Sequence, residues 1–247
     1  MKYIFPLLLL VLSSCLKNKE AIIAAQHSCG AGNVHNASKT YGTVKDIDGN
    51  TYKTIQIGTQ TWMAENLRTT RYRNGVSIEN AVETTSWVNN TTGAYCSYNN
   101  NTANDCPYGK LYNWFAATNE NGICPQGWHT PSSDEWSILI NYLDPGALGG
   151  TNPNNTIAGG KMKSPGTKYW TGPNQGATNS TGFSGLPGGT RFNNGNFSDF
   201  KEYGYWWTST PYVNRVAWFH FLRTRDGGAY KNGFDKFGGL CIRCIKD

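Results

Sequence analysis

Charge is scarce in this 247-residue chain: Asp, Glu, Lys and Arg together make up 15% of it. Long surface helices need charged outer faces, so the shortage argues against an architecture dominated by them and for one rich in turns and loops. A basic patch is missing as well. The 22 basic and 16 acidic residues leave a formal charge of +6 with no window that concentrates the bases, which argues against nucleic acid as a partner. No repeat recurs at a fixed period, and no apolar run approaches the roughly 20 residues that a membrane-spanning helix needs. In place of these the chain has 29 glycines, 13% aromatic residues and amide-rich runs such as "NNNTAND" and "GTNPNNT". The length suits one large domain with a tail.

The amino terminus, "MKYIFPLLLLVLSSC", places a lysine before an apolar run from Tyr3 to Leu12 and then small residues up to Cys15. That is the layout of an export signal. Leu12-Ser13-Ser14-Cys15 resembles a bacterial lipobox, which implies that residues 1–14 are removed and that Cys15 carries diacylglycerol. Two or three acyl chains anchor a protein stably where one is marginal. The expected partner is thus a membrane, reached through the lipid. The expected location is the cell envelope, as an outer-membrane lipoprotein with possible surface exposure. Loss of Lys2 leaves 21 basic against 16 acidic residues, or +5. Residues 15–43 mix small and polar residues without strand alternation and read as a tether.

With Cys15 lipidated, six cysteines remain: Cys29, Cys96, Cys106, Cys124, Cys241 and Cys244. An even set in an exported protein is expected to form disulfides, with fifteen pairings open. Cys96 and Cys106 flank a short loop, so a bridge between them has the lowest closure entropy. The "CIRC" near the end is not read as a redox motif. "GGLCIRCIKD" alternates like a strand, and positions i and i+3 of a strand face opposite sides.

The segment "VKDIDGNTYKTIQIGTQTWMAENL" alternates and breaks at Asp48-Gly49 and Gly58-Thr59, which predicts hairpins. "DIDGN" lacks the glycine position and the final carboxylate of a calcium loop, so it reads as a turn. Two helices are predicted. "GKLYNWFAATNENG" sets Leu111, Trp114 and Phe115 on one face and stops at Asn121-Gly122. In "CPQGWHTPSSDEW", Ser132 followed by Glu135 forms a capping box, and Trp136, Leu139, Ile140 and Leu143 follow as a buried face. The acids of this dense motif are explained by capping and the helix dipole. His129, with no second histidine at ligand spacing, is not read as a metal ligand.

The motifs "IGTQTWMAENL", "YGKLYNWFAATN", "GICPQGWHTPSSDEW", "TGFSGLPGGTR", "GYWWTST" and "CIRCIKD" together resemble the Fibrobacter succinogenes major paralogous domain, over residues 44–247. The resemblance implies an exported lipoprotein with a C-type-lectin-like fold: α+β, two main helices, short antiparallel sheets, long loops and disulfides. It further implies a Cys124–Cys244 bridge, because both are usual cysteine positions of the family. Position 241 is commonly serine there, so Cys241 is expected to pair with Cys29. The calcium-lectin ligand motifs are absent from "GPNQG" and "YWWTST", so no cofactor is expected from them, and a calcium site without a recognised ligand motif stays open. "LPGGTRF" faintly resembles a segment of formylglycine-generating enzymes.

Alternation in "RVAWFHFLRTRDGGAYKNG" sets Val216, Trp218, His220 and Leu222 on one strand face and Ala217, Phe219 and Phe221 on the other, with a turn at Asp226-Gly227. One of the adjacent Trp206 and Trp207 is expected to point outward unless loops cover both faces. An outward indole suits a sugar ring or an interface. Arg191 is the other ligand-binding candidate, with satisfaction of loop carbonyls as its alternative role. No catalytic set stands out among Glu65, Glu79, Glu83, Asp199 and Glu202. The leading expectation is therefore a non-enzymatic module that binds glycan or protein. The alternatives are a polysaccharide-active or formylglycine-generating-like enzyme, and a structural or adhesive assembly component.

Overall fold

A computed structural model describes residues 16–17, 19–152 and 157–247. The expected signal segment 1–14 and the expected lipid site Cys15 lie outside these residues. The architecture is α+β, with thirteen strands and several short helices among the described residues. Among the described residues no helix is long and apolar enough to cross a membrane.

The largest sheet runs in the order β1 (Gly42–Lys45), β2 (Thr51–Ile57), β3 (Gln60–Met63), β13 (Ile245–Lys246) and β7 (Trp128–His129). Its first hairpin turns at Gly49 (φ 83°) and its second at Gly58 (φ 60°), both in the left-handed region that favours glycine. Asp46 closes the first turn by accepting from the backbone N–H of Asp48 and Asn50, the Asn50 amide and the Tyr52 hydroxyl. These bonds use its carboxylate in a turn, as the sequence predicts.

A second sheet consists of β10 (Tyr203–Val213), β11 (Val216–Arg223) and β12 (Tyr230–Asp235), all antiparallel. β4 (Glu79–Asn80), β5 (Ala94–Cys96) and β6 (Leu111–Tyr112) form a third, and β8 (Thr190–Arg191) pairs with β9 (Phe197–Ser198). The eleven-residue helix Ser133–Leu143 begins at the predicted capping box: Ser132 Oγ accepts from Glu135 N, and Glu135 Oε2 accepts from Ser132 N at 2.7 Å. Trp136, Leu139, Ile140 and Leu143 are buried.

The other expected long helix is corrected. Leu111–Tyr112 is a strand, and only Trp114–Ala117 is helical, capped by the Asn113 side chain. Tyr112 exchanges backbone hydrogen bonds with Leu240 from the far end of the chain, and this long-range pairing outweighs the local helical pattern.

The expected tether is corrected as well. Its part from Ala25 to Tyr41 is packed on the domain, with Val34 fully buried. Ser164 Oγ donates to Val34 O at 2.8 Å, Tyr169 OH donates to Gly32 O at 2.6 Å, and Asn36 Nδ2 donates to Asn179 O at 3.0 Å. The segment is a strap whose partners are remote in sequence.

Two disulfides are present, Cys124–Cys244 and Cys29–Cys106. The expected Cys96–Cys106 and Cys29–Cys241 pairings do not occur, and Cys96 and Cys241 are buried free thiols. Direction decides this against loop length. Cys96 points into the core from β5, whereas Cys106 meets the strap at Cys29. Cys96 lies opposite Leu111 in the third sheet, and the Tyr112–Leu240 bridge sets Leu111 beside Cys241. Their Cα atoms are thus about two strand spacings apart, roughly 9.6 Å, beyond the roughly 7 Å Cα separation that a disulfide can span.

Candidate functional site

Strand alternation separates the adjacent tryptophans, and each side of β10 has its own core. Trp206 joins Trp62, Trp136 and Phe183 in one apolar cluster, and Trp207 joins Tyr112, Phe219 and Ile242 in another. Both are fully buried. Trp206 Nε1 donates to Asn66 Oδ1 at 2.8 Å, and Trp207 Nε1 donates to Tyr112 O at 2.7 Å. The expectation of an outward indole is therefore corrected: a helix, strands and loops together cover both faces. Arg191 is also buried, and its guanidinium donates to Gly195 O, Ala81 O and Val82 O while stacking on Trp87 and Phe197. It satisfies loop carbonyls.

Trp207 shares its face of the sheet with a partly exposed aromatic surface, whereas Trp206 lies on the reverse. One face of the second sheet carries the partly exposed Tyr203 and Tyr205 on β10, opposite Arg223 and Phe221 on β11, and continues along the strands to the buried pair Trp207 and Phe219. Tyr203 and Tyr205 stack at 5.3 Å and 11°. At one end of this face a cavity of about 150 Å³ is lined by Thr190, Phe192, Asp199, Tyr205, Phe219 and Phe234 among others. The rings surround it edge to face or tilted: Tyr205 to Phe219 at 5.7 Å, Phe219 to Phe234 at 5.8 Å, and Phe192 to Phe234 at 5.9 Å.

One carboxylate stands in this apolar wall. Asp199 Oδ2 accepts from the Tyr205 hydroxyl at 3.0 Å, and Oδ1 accepts from Ser198 Oγ at 3.0 Å. Asp199 adopts φ 63°, a conformation that Asp tolerates better than most residues. Burial and the adjacent Asp199 charge raise the Tyr205 hydroxyl pKa, so the phenol stays protonated and donates. A carboxylate with two fixed donors retains acceptor capacity for a ligand hydroxyl or N–H. The cavity is below the roughly 300 Å³ that encloses a drug-sized ligand. It can take one ring or one side chain, and the remainder of a ligand would extend across Tyr203 and Phe221.

The sequence reading found one side of this site through the Phe219 and Phe221 alternation. It missed Phe192, Asp199 and Phe234, which come from three separate segments with no shared motif. Other expected chemistry is absorbed by structure. Glu65 is buried against His27 and His35. Among the described residues one group of donors has metal-ligand spacing, His27, Cys29 and Cys106, within 4.8 Å of one another. The disulfide between its two cysteines withholds both thiolates from a metal.

The model of the Fibrobacter succinogenes major domain matches residues 55–246. Comparison with curated proteins and with solved structures gives no match.

Proposed function

Since the chain belongs to the Fibrobacter succinogenes major domain family, we propose that it is an exported, lipid-anchored recognition module of the cell envelope, non-enzymatic and built on a C-type-lectin-like scaffold. The observation that carries this reading is the aromatic cavity with Asp199 in its wall. Flat apolar rings beside an acceptor that is already oriented suit a sugar ring or an aromatic side chain of a protein ligand. No second carboxylate faces Asp199 across that cavity among its lining residues, whereas glycoside hydrolysis ordinarily needs a pair.

A glycan array probed with and without chelator tests the reading, using the wild-type chain and the Asp199→Asn and Phe192→Ala variants. Binding insensitive to chelator and weakened about tenfold or more in both variants, with unchanged thermal melts, supports it. Silence on the array combined with assembly into a higher oligomer would favour a structural role instead.

A further inference from the structure

The segment "GICPQGWHT" leads into the capped helix and also lines a groove. Two adjoining hollows of about 190 and 390 Å³ share Arg73, Ile123 and Cys124. Together they fall in the size range of small-molecule sites, roughly 300–1,000 Å³. Lys45 stands at one end and His129 at the other. The Cys124–Cys244 bridge fixes the shared wall.

Arg73 is an exposed cation set between the two hollows. Arg71, Arg215 and Arg223 each face a carboxylate. Arg73 has no such partner, and its side chain donates no hydrogen bond among the described residues. It is nevertheless positioned. Its backbone N–H donates to Gly122 O at 2.8 Å. A Cβ at Gly122 would fall 2.0 Å from Arg73 Nε and 2.3 Å from Nη2, so the guanidinium rests where any other residue would have a side chain. Gly122 also has φ 67°, so glycine is favoured there on two grounds.

We propose that this groove binds a small carboxylate-bearing sugar, of the uronic acid class, with Arg73 gripping the carboxylate. A planar guanidinium matches a carboxylate through two parallel hydrogen bonds. The surrounding charge favours a singly charged ligand. Asp46 lies beside Lys45, and Glu135 and Asp247 bracket His129 at the far end, so a dianion meets more repulsion. The larger hollow is lined by Thr118, Asn119, Thr130 and Ser209 with Ala117 and Ile123, a mixture suited to a hydroxylated ring. This site is separate from the aromatic cavity and does not depend on it.

Calorimetric titration of the mature chain with glucuronate, glucose and glucose 6-phosphate tests the proposal. The expected result is saturable glucuronate binding that weakens at high salt. It should weaken about tenfold or more in Arg73→Gln and also in Gly122→Ala, which displaces the guanidinium, with Arg225→Gln, at an exposed arginine outside both hollows, indistinguishable from wild type. Arg73 is exposed, so Arg73→Gln should keep the wild-type melting temperature. Absence of saturable glucuronate binding, equal binding in Arg73→Gln, equal affinity for glucose or tighter binding of glucose 6-phosphate would each overturn it. Loss of binding in Asp199→Asn alone would move the site to the aromatic cavity.

Discussion

Glu65 Oε1 stands 2.9 Å from His35 Nε2, so a carboxylate of the domain and an imidazole of the strap meet with both side chains fully buried. His27 lies 3.6 Å from the other carboxylate oxygen, and the Ser28 N–H donates to Oε1 at 2.7 Å. One acid therefore holds three successive contacts of the amino-terminal segment.

Acid should loosen this junction. Burial lowers the His27 pKa to about 3, so the folded ring stays neutral. Burial opposes the Glu65 charge, but hydrogen bonding to His35 and the nearby imidazoles carry its pKa to about 2. An unfolded histidine takes up a proton near 6.5 and an unfolded glutamate near 4.5. The unfolded chain thus binds more protons between pH 6.5 and about 2, and stability falls on acidification through that window. Urea midpoints measured at pH 7 and pH 4 check this. Glu65→Gln should cost about 3 kcal/mol at pH 7 and flatten the pH dependence.

His129 should titrate in the opposite sense. Burial lowers its pKa, but hydrogen bonding to Asp247 at 2.7 Å and to Glu135 at 2.8 Å outweighs that and raises it above 6.5. Its contribution is fully present below pH 6.5 and is lost as pH rises through the raised value. The site is partly exposed, so the effect should be under about 1 kcal/mol. An NMR titration of the His129 ring should give a pKa above 6.5 that drops in Asp247→Asn.

The two free thiols should be inert in the folded protein. Burial pushes both Cys96 and Cys241 up to about 12. In a Cys15→Ser chain, Ellman's reagent should find no reactive thiol under native conditions and two after unfolding. Cys241→Ser should change stability by less than about 1 kcal/mol, because Cys241 Sγ already lies 3.6 Å from Tyr108 O, an acceptor that a hydroxyl can use.

Lys163 should be intolerant of neutral replacement. Its fully buried ammonium donates to Gln175 O at 2.9 Å, Arg223 O at 2.9 Å and Asp226 O at 2.7 Å, filling a ring of carbonyls much as a bound cation would. Lys163→Met leaves all three without that donor and should cost about 3 kcal/mol in chemical denaturation.

Legibility in the sequence followed distance along the chain. The Ser132–Glu135 cap and the glycine turns at Gly49 and Gly58 were readable because their partners lie within a few residues. The face assignment of β11 was readable from simple alternation. Tyr112 was misread as helical because its partner, Leu240, is 128 positions away. The strap was misread because its hydrogen bonds go to Ser164, Tyr169 and Asn179, none of which marks it locally. The cysteine pairings depended on which way each side chain points, and loop length does not encode that. The candidate cavity was half visible: Phe219 lies on a readable strand, whereas Asp199 and Phe234 reach it only through the tertiary fold.

The final strand, β13, lies inside the largest sheet, with Ile245 paired to Trp62 on one side and to His129 on the other. A nascent polypeptide cannot complete that ladder, or close the Cys124–Cys244 bond, until the segment 120 residues beyond Cys124 has been made. Closure of the largest sheet is thereby a late event, because its central ladder waits for a strand supplied by a segment far along the chain from β1, β2 and β3.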